Sequence, residues 1–271
     1  MRMANPSGFA LLLKKAPLVG AFFMAAIWHL PAQAFCPLPG RVQQVAVRQV
    51  IDGDTVRLTD GRSIRLIGIN APELGRRGRA SEPYAEDARR RLQALVKASD
   101  GKVGLVRGVG PKDKYGRTLA HLYGRNGDNL EAILLSEGLG YRVAVAPNAR
   151  LASCQHNAEQ AARKARAGLW RRSPVQRPAG IRQSGFAVVA GRVRKIERNR
   201  GGVWLELDTE MVLQVPARLR RAFPAAFFDG LEGRQVEARG WVQNRSHKGG
   251  LKQGQRRWLL PLTHPSMLQR D

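Results

Sequence analysis

Three short stretches carry side chains suited to joint chemistry. Asp54 leaves the turn Asp52-Gly53-Asp54 and enters the run Thr55-Val56-Arg57-Leu58. Asn70 and Glu73 close a second run, Ile64-Arg65-Leu66-Ile67-Gly68-Ile69. If the two runs lie side by side, their hard oxygens meet, a donor set that suits calcium or magnesium better than zinc. Arg65 projects from the strand that carries Asn70, so one element offers a metal ligand and a phosphate clamp. The third stretch is Asp113-Lys114-Tyr115-Gly116-Arg117. Gly116 permits a turn, Asp113 braces it as a hydrogen-bond acceptor, and Arg117 enters the next strand. Two guanidinium groups on one phosphate hold its oxygens and offset the charge that builds in a transition state. A carboxylate such as Glu73 orients or deprotonates a water. Together these groups describe metal-assisted hydrolysis of a phosphodiester. Singly, each has a plainer use: Asp52 and Asp54 shape a turn beside glycine, Glu73 is a solvated cap and Arg117 a surface arginine.

Positioning them requires a strand-rich scaffold. Residues 41–51, 55–58 and 63–69 read as three strands, with Asp60-Gly61 a hairpin turn and Pro72 a stop. Ser81 to Ala98 reads as a helix, with Pro83 in its first turn and an apolar stripe at Ala85, Ala88, Leu92, Leu95 and Val96. Residues 103–106 and 119–123 are two more strands. Asp128 and Glu131 resemble a capping box that opens a short helix to Leu135, and a basic helix runs from Leu151 towards Trp170. Five strands with three helices predict a mainly β, α+β fold built on a five-stranded barrel of the oligonucleotide-binding type.

Residues 173–184, with Pro174, Pro178 and Gly180, read as a linker. Five further strands follow, at 188–196, 203–207, 212–215, 235–242 and 258–262, with a helical segment at 217–223. They predict a second small barrel over 185–271, an accessory nucleic-acid-binding module with Trp204 or Trp241 as a stacking surface or as core residues.

The chain has 271 residues with 46 Lys and Arg against 21 Asp and Glu, a formal charge of +25. That excess calls for a polyanionic partner, DNA or RNA first and an envelope polymer second. Arg76, Arg77, Arg79, Arg107 and the helix from Arg150 to Arg171 would extend a substrate track or simply be solvated. Residues 1–34 read as a signal peptide: Arg2, Lys14 and Lys15, then an apolar run, then Ala32-Gln33-Ala34, with cleavage before Phe35. The expected product is an exported, periplasmic or secreted monomer with no membrane span after cleavage. Cys36 and Cys154 are its two cysteines, joined in a disulfide or left as two thiols. The five histidines, at 29, 121, 156, 247 and 264, show no metal-binding or base spacing.

Ile51-Asp-Gly-Asp-Thr55, Arg65-Leu-Ile-Gly-Ile-Asn-Ala-Pro-Glu73 and Asp113-Lys-Tyr-Gly-Arg117 resemble, in order, the three motifs of the staphylococcal nuclease family. Glu82-Pro-Tyr-Ala-Glu-Asp-Ala88 and Gly168-Leu-Trp170 are also similar to it. The resemblance covers about residues 41–171, so a catalytic domain is expected at 35–172. It implies Ca2+ held by Asp54, Asn70 and the backbone carbonyl of Ala71, with Glu73 on the attacking water. It implies Arg65 and Arg117 on the scissile phosphate, and Lys114 and Tyr115 lining the substrate pocket. The family's products carry a 3′-phosphate and a 5′-hydroxyl. Two departures stand out: Asn70 replaces the Asp of the best-known member, and the segment before Pro147 lacks its tyrosines. The alternative is a tandem-barrel protein that binds nucleic acid without cutting it.

Overall fold

The computed structural model describes residues 36–76, 78–246, 250–251 and 253–270. The expected signal peptide, with His29, and also Arg77, His247, Lys248 and Lys252, lie outside the described residues. Among the described residues no helix is long and apolar enough to cross a membrane.

The first barrel closes through β1 (Gln43–Asp52), β2 (Thr55–Leu58), β3 (Ser63–Leu66), β5 (Lys102–Lys112) and β6 (Thr118–Tyr123) in the order β1-β2-β3-β6-β5. Only β3 and β6 run parallel. Alternation sends Val56, Leu58, Ile64, Leu66, Val103, Leu105 and Leu122 inward to one core, as a half-buried strand with period two requires. The helix α1 (Ala85–Ala98) covers that core with Leu92 and Val96.

The third predicted strand does not run to residue 69. It breaks at Gly68, whose φ is +88°, and resumes as β4 (Ile69–Asn70), which pairs with β7 (Tyr141–Arg142). A side chain at 68 would be strained at that φ and would collide with the Gln155 amide at 2.0 Å, so glycine is needed on both counts. Gln155 donates from Nε2 to the Ile67 carbonyl 3.0 Å away and so pins the break.

Two helix starts also differ. Helix α1 begins at Ala85, because Tyr84 is left-handed (φ 67°) and Glu82 is bonded to Glu73 in both directions. The short helix α2 (Leu130–Ser136) is capped by Asn129, whose side chain accepts from the Ala132 amide at 2.9 Å. Glu131 is no capping residue. It is fully buried and bonded to His121 Nδ1 and to the amides of Asn129 (side chain) and Leu122. The last helix, α3, spans Ala152–Ala165, and Gly168–Arg171 is a separate 3-10 turn.

The second barrel repeats the first one's connectivity. β9 (Gly185–Asn199), β10 (Gly202–Leu207), β11 (Met211–Pro216), β12 (Gln235–Asn244) and β13 (Trp258–Pro261) close in the order β9-β10-β11-β13-β12, with β11 and β13 the parallel pair. It has its own core, including Val203, Leu205, Leu213, Val236 and Leu260. The 173–184 segment is not a free linker. Its residues Val175–Gln176 form β8 beside β9, and Pro178 and Ile181 are buried. A last strand, β14 (Leu268–Arg270), extends β12.

The two barrels belong to one compact unit. Helix α3 and β7 pack against the outer face of β12, where Arg142, Glu159 and Arg239 are fully buried. Arg239 donates to both oxygens of Glu159 at 2.7 and 2.6 Å and to Glu237 at 2.6 Å. Arg163 pairs with Glu237, and the Arg142 amide donates to Glu159 at 2.8 Å. At the other end of the chain a disulfide joins Cys36 to Cys154 on α3.

Candidate active site

The site lies where β2, β3 and β4 meet. Asp54 is nearly buried and directly precedes β2. Its Oδ2 accepts from the Ala71 amide at 2.9 Å, and its Oδ1 accepts from the Thr55 hydroxyl at 3.0 Å. The turn before it packs closely: a Cβ on Gly53 would sit 2.6 Å from that of Ala88 and 2.7 Å from that of Ala71. Glycine therefore lets α1 and the Asn70-Ala71 segment close over the Asp52–Asp54 turn.

Arg65 spans the break after β3. Its Nη1 donates to the carbonyls of Leu66 (2.6 Å) and Ile69 (2.8 Å). Its Nη2 lies 3.0 Å from Asp54 Oδ2 and donates to Asn70 Oδ1 at 3.3 Å. The oxygens of Asp54 and Asn70 thus converge on one positively charged group, the Arg65 guanidinium. Among the described residues no three His, Cys, Asp or Glu side chains cluster as metal ligands. A cation here would be held by a mixed oxygen set: the Asp54 carboxylate, the Asn70 amide oxygen and the Ala71 carbonyl. Such a set fits a hard divalent ion.

Asp52 belongs to this group, although its sequence reading ended at a turn. Its Oδ1 accepts from the Asp54 amide at 3.0 Å. Its pKa is pushed up to about 6, first by burial and then by the charge of Asp54. Two carboxylates this close repel, and a divalent cation held by Asp54 would lessen that repulsion.

Arg117 enters from β6. Its Nε donates to Asp113 Oδ2 at 2.7 Å, and its Nη1 donates to the Thr55 hydroxyl at 3.3 Å. Asp113 Oδ1 accepts from the amides of Tyr115 and Arg117, the bracing role expected of it, and these bonds with Arg117 hold its carboxyl below the usual range against the effect of burial. Thr55 was missed as a functional side chain. Paired in register with Arg65, it links Asp54 to Arg117 through one hydroxyl. Its only sequence signal is a hydroxyl on the inward-facing first position of a strand that follows a carboxylate. Lys114 and Tyr115 sit on the outer loop, with Tyr115 72% exposed and the cations of Lys114 and Arg117 at 4.9 and 5.6 Å from its ring centroid.

Glu73 follows Pro72 on the open side of the site. Its amide donates to Glu82 Oε2 at 2.9 Å, and its carbonyl accepts from the Glu82 amide. Its carboxyl is raised, first by partial desolvation and then by the charges of Asp54 and Glu82, while Arg65 and Arg76 pull it down. Direct contacts join Asp54, Arg65 and Asn70, Thr55 links Asp54 to Arg117, and Glu73 is tied to the site through its backbone bonds with Glu82.

Residues 63–172 match the family described as Staphylococcal nuclease homologue. The chain is 35% identical over 132 residues to the SPbeta prophage-derived endonuclease YokF of Bacillus subtilis strain 168, a match covering 46% of this chain and 43% of that protein. It is 33% identical over 139 residues to Endonuclease YncB of the same strain, covering 49% and 64% of the two chains. With the Thermonuclease of Staphylococcus intermedius it shares 32% identity over 136 residues, which are 49% of this chain and 79% of that protein. The chain belongs to the staphylococcal nuclease family. It spans less than two thirds of the length of YokF and YncB. The family match starts at β3, after the Asp52–Asp54 turn, and ends before the second barrel. The match thus covers β3, β4, β5, β6 and β7 with the three helices, while β1, β2 and the second barrel lie outside it.

Proposed function

We propose that this protein is an exported, Ca2+-dependent nuclease that hydrolyses phosphodiester bonds of DNA or RNA to leave 3′-phosphate and 5′-hydroxyl ends. The observation that carries the reading is the convergence of Asp54 and Asn70 on Arg65, with Arg117 held next to them through Thr55. Membership of the staphylococcal nuclease family and the +25 charge support a nucleic-acid substrate.

In this reading Asp54, Asn70 and the Ala71 carbonyl hold the calcium, which when bound screens phosphate charge and helps order solvent. Arg65 and Arg117 donate to the non-bridging oxygens of the scissile phosphate. Their charges offset the second negative charge that accumulates as phosphorus becomes five-coordinate, before the P–O5′ bond breaks and the leaving 5′ oxygen takes a proton from solvent. Glu73 accepts a proton from the attacking water. Its raised pKa makes it a stronger base than an ordinary surface glutamate. Asp113 and Thr55 keep the Arg117 guanidinium aimed, and Lys114 and Tyr115 take the outer side of the nucleotide. The Cys36–Cys154 disulfide supports an oxidising destination.

A digestion assay tests the proposal. Single-stranded DNA and RNA are incubated with calcium or with a chelator, and the product ends are typed by enzymatic 5′-phosphorylation without prior phosphatase. Cutting that requires calcium and yields directly phosphorylatable 5′ ends is expected. Undiminished cutting in chelator overturns the calcium dependence. Binding without cutting under every divalent ion replaces the enzyme by a tandem-barrel binding protein. Mass spectrometry of the exported protein tests the leader, with Phe35 expected as its first residue.

A further inference from the structure

The outer face of β12 carries one row of side chains, Glu237, Arg239 and Trp241. Glu237 and Arg239 disappear beneath α3 in the ion network. Trp241, next in the row, emerges from the edge of that interface with 40% of its surface exposed. It faces Phe186 across the β12–β9 pair, and the rings meet edge to face at 5.4 Å. Phe186 in turn touches Tyr141 at 5.1 Å.

Tyr141 ties this aromatic run to the candidate active site. It lies opposite Asn70 in the β4–β7 pair. Its phenol lies in the field of Glu82, whose charge, after burial, helps push its pKa up to about 12. Glu82 is the residue bonded to the Glu73 backbone. A continuous aromatic path therefore leads from β7, the strand paired with that of Asn70, to an exposed indole on the other barrel. Trp241 thus packs one edge on Phe186 and leaves 40% of its surface to solvent.

We infer that Trp241, backed by Phe186, is a base-stacking subsite that holds the substrate strand beyond the cleavage site. The inference rests on the nuclease reading for the identity of the strand, but not for the platform itself. Its occupant is an unpaired stretch of nucleic acid. A flat indole accepts any base face, whereas a paired duplex offers no free face to it. The +25 charge attracts the backbone of such a strand. The second barrel thereby lengthens the site and favours oligonucleotides over short diesters.

The test uses the whole protein with Trp241→Leu, which keeps apolar cover, and Trp241→Phe, which keeps an aromatic face. Binding of a fluorescent twelve-residue oligothymidylate is followed by anisotropy in chelator, so that cleavage plays no part. Trp241→Leu is expected to weaken binding about tenfold, within the range seen for loss of one stacked base, and Trp241→Phe by less than threefold. In calcium, Trp241→Leu should raise KM for the oligonucleotide and leave kcat/KM for a chromogenic mononucleotide diester unchanged. Equal oligonucleotide affinity in all three proteins overturns the inference. So does an equal loss on oligonucleotide and mononucleotide diester. If no protein cuts anything, the nuclease reading fails, and the anisotropy series still decides the platform.

Discussion

The ion network between the barrels gives the sharpest quantitative expectation. It holds three arginines (142, 163 and 239) against two glutamates (159 and 237), and Arg142, Glu159 and Arg239 are essentially inaccessible. Breaking a buried pair from one side costs about 3–5 kcal/mol, because the remaining charge keeps its desolvation penalty. The two sides are not equivalent here. Arg239→Met leaves two arginines facing two glutamates, and Glu159 keeps the Arg142 amide at 2.8 Å and Arg163 Nε at 3.5 Å. It also removes a like charge that, after burial, helps drive the Arg142 pKa down to about 10. The loss should fall near the low end, about 3 kcal/mol. Glu159→Gln leaves three arginines around Glu237 alone and should cost about 5 kcal/mol.

Urea unfolding at pH 7, followed by far-ultraviolet circular dichroism, measures both losses. With an m-value of about 3 kcal/mol per molar, Arg239→Met lowers the midpoint by about 1 M and Glu159→Gln by more. Both differences should persist from 0.1 to 0.5 M salt, since buried pairs are little screened. The reverse order of the two variants, or losses below about 1 kcal/mol in both, would refute the charge argument. A loss that vanishes with salt would mean that the network is solvated.

Removing the Cys36–Cys154 bond by Cys36→Ser with Cys154→Ser should cost up to about 5 kcal/mol, from the chain entropy of a loop with sequence separation 118; unchanged unfolding midpoints with and without reductant would deny the bond a role. Glu237 is held below its usual pKa by Arg163 and Arg239, so its contribution is complete above about pH 4.5 and disappears as pH falls through the depressed folded value; the acid limb of the stability–pH curve should flatten in Glu237→Gln. Thr55→Val should lower kcat about tenfold at constant fold, because Arg117 loses a bond worth about 1 kcal/mol and Asp54 loses another; activity equal to the parent protein would remove Thr55 from the site. Asn70→Asp should lower the calcium concentration for half-maximal activity at least about tenfold by adding a charged ligand, and an unmoved calcium titration would show that residue 70 is not a ligand.

Local pattern made most of the barrel legible. Alternation located β2, β3, β6 and the later strands, since each half-buried strand writes its face into the sequence. Pairings between distant residues left weaker traces. Glu131 looked like a helix cap because local spacing alone cannot show that His121 and Leu122 would take its carboxylate. Proline and glycine made residues 173–184 look like a linker, yet a strand next to β9 uses their backbone. The basic helix reads as a substrate track or a solvated face, whereas Arg163 is committed to Glu237 and packs 3.9 Å from the Trp170 ring centroid. Of the motif residues, Asp54 and Arg117 directly precede strands, Asn70 ends β4 and Arg65 lies within β3, all positions that local sequence marks. The bond from Arg117 to Thr55 crosses 62 positions and has no local signature.

The chain builds the same closed barrel twice but assembles the candidate site on only one copy, which separates what the fold supplies from what the sequence adds. In the first copy the third strand breaks at Gly68, and the chain turns outward through Asn70, Ala71 and Glu73 beside Asp54. In the second copy the matching strand, Met211–Pro216, runs unbroken into a 3-10 turn and carries neither arginine nor carboxylate. The break therefore sets the two copies apart: it lets one strand end of the first barrel bring a carboxylate, an amide oxygen and a guanidinium together. What the second copy offers the first is the β12 row, whose Glu237 and Arg239 are buried against α3 and Arg142 of β7 while Trp241 stays partly exposed, the position of the stacking subsite inferred above.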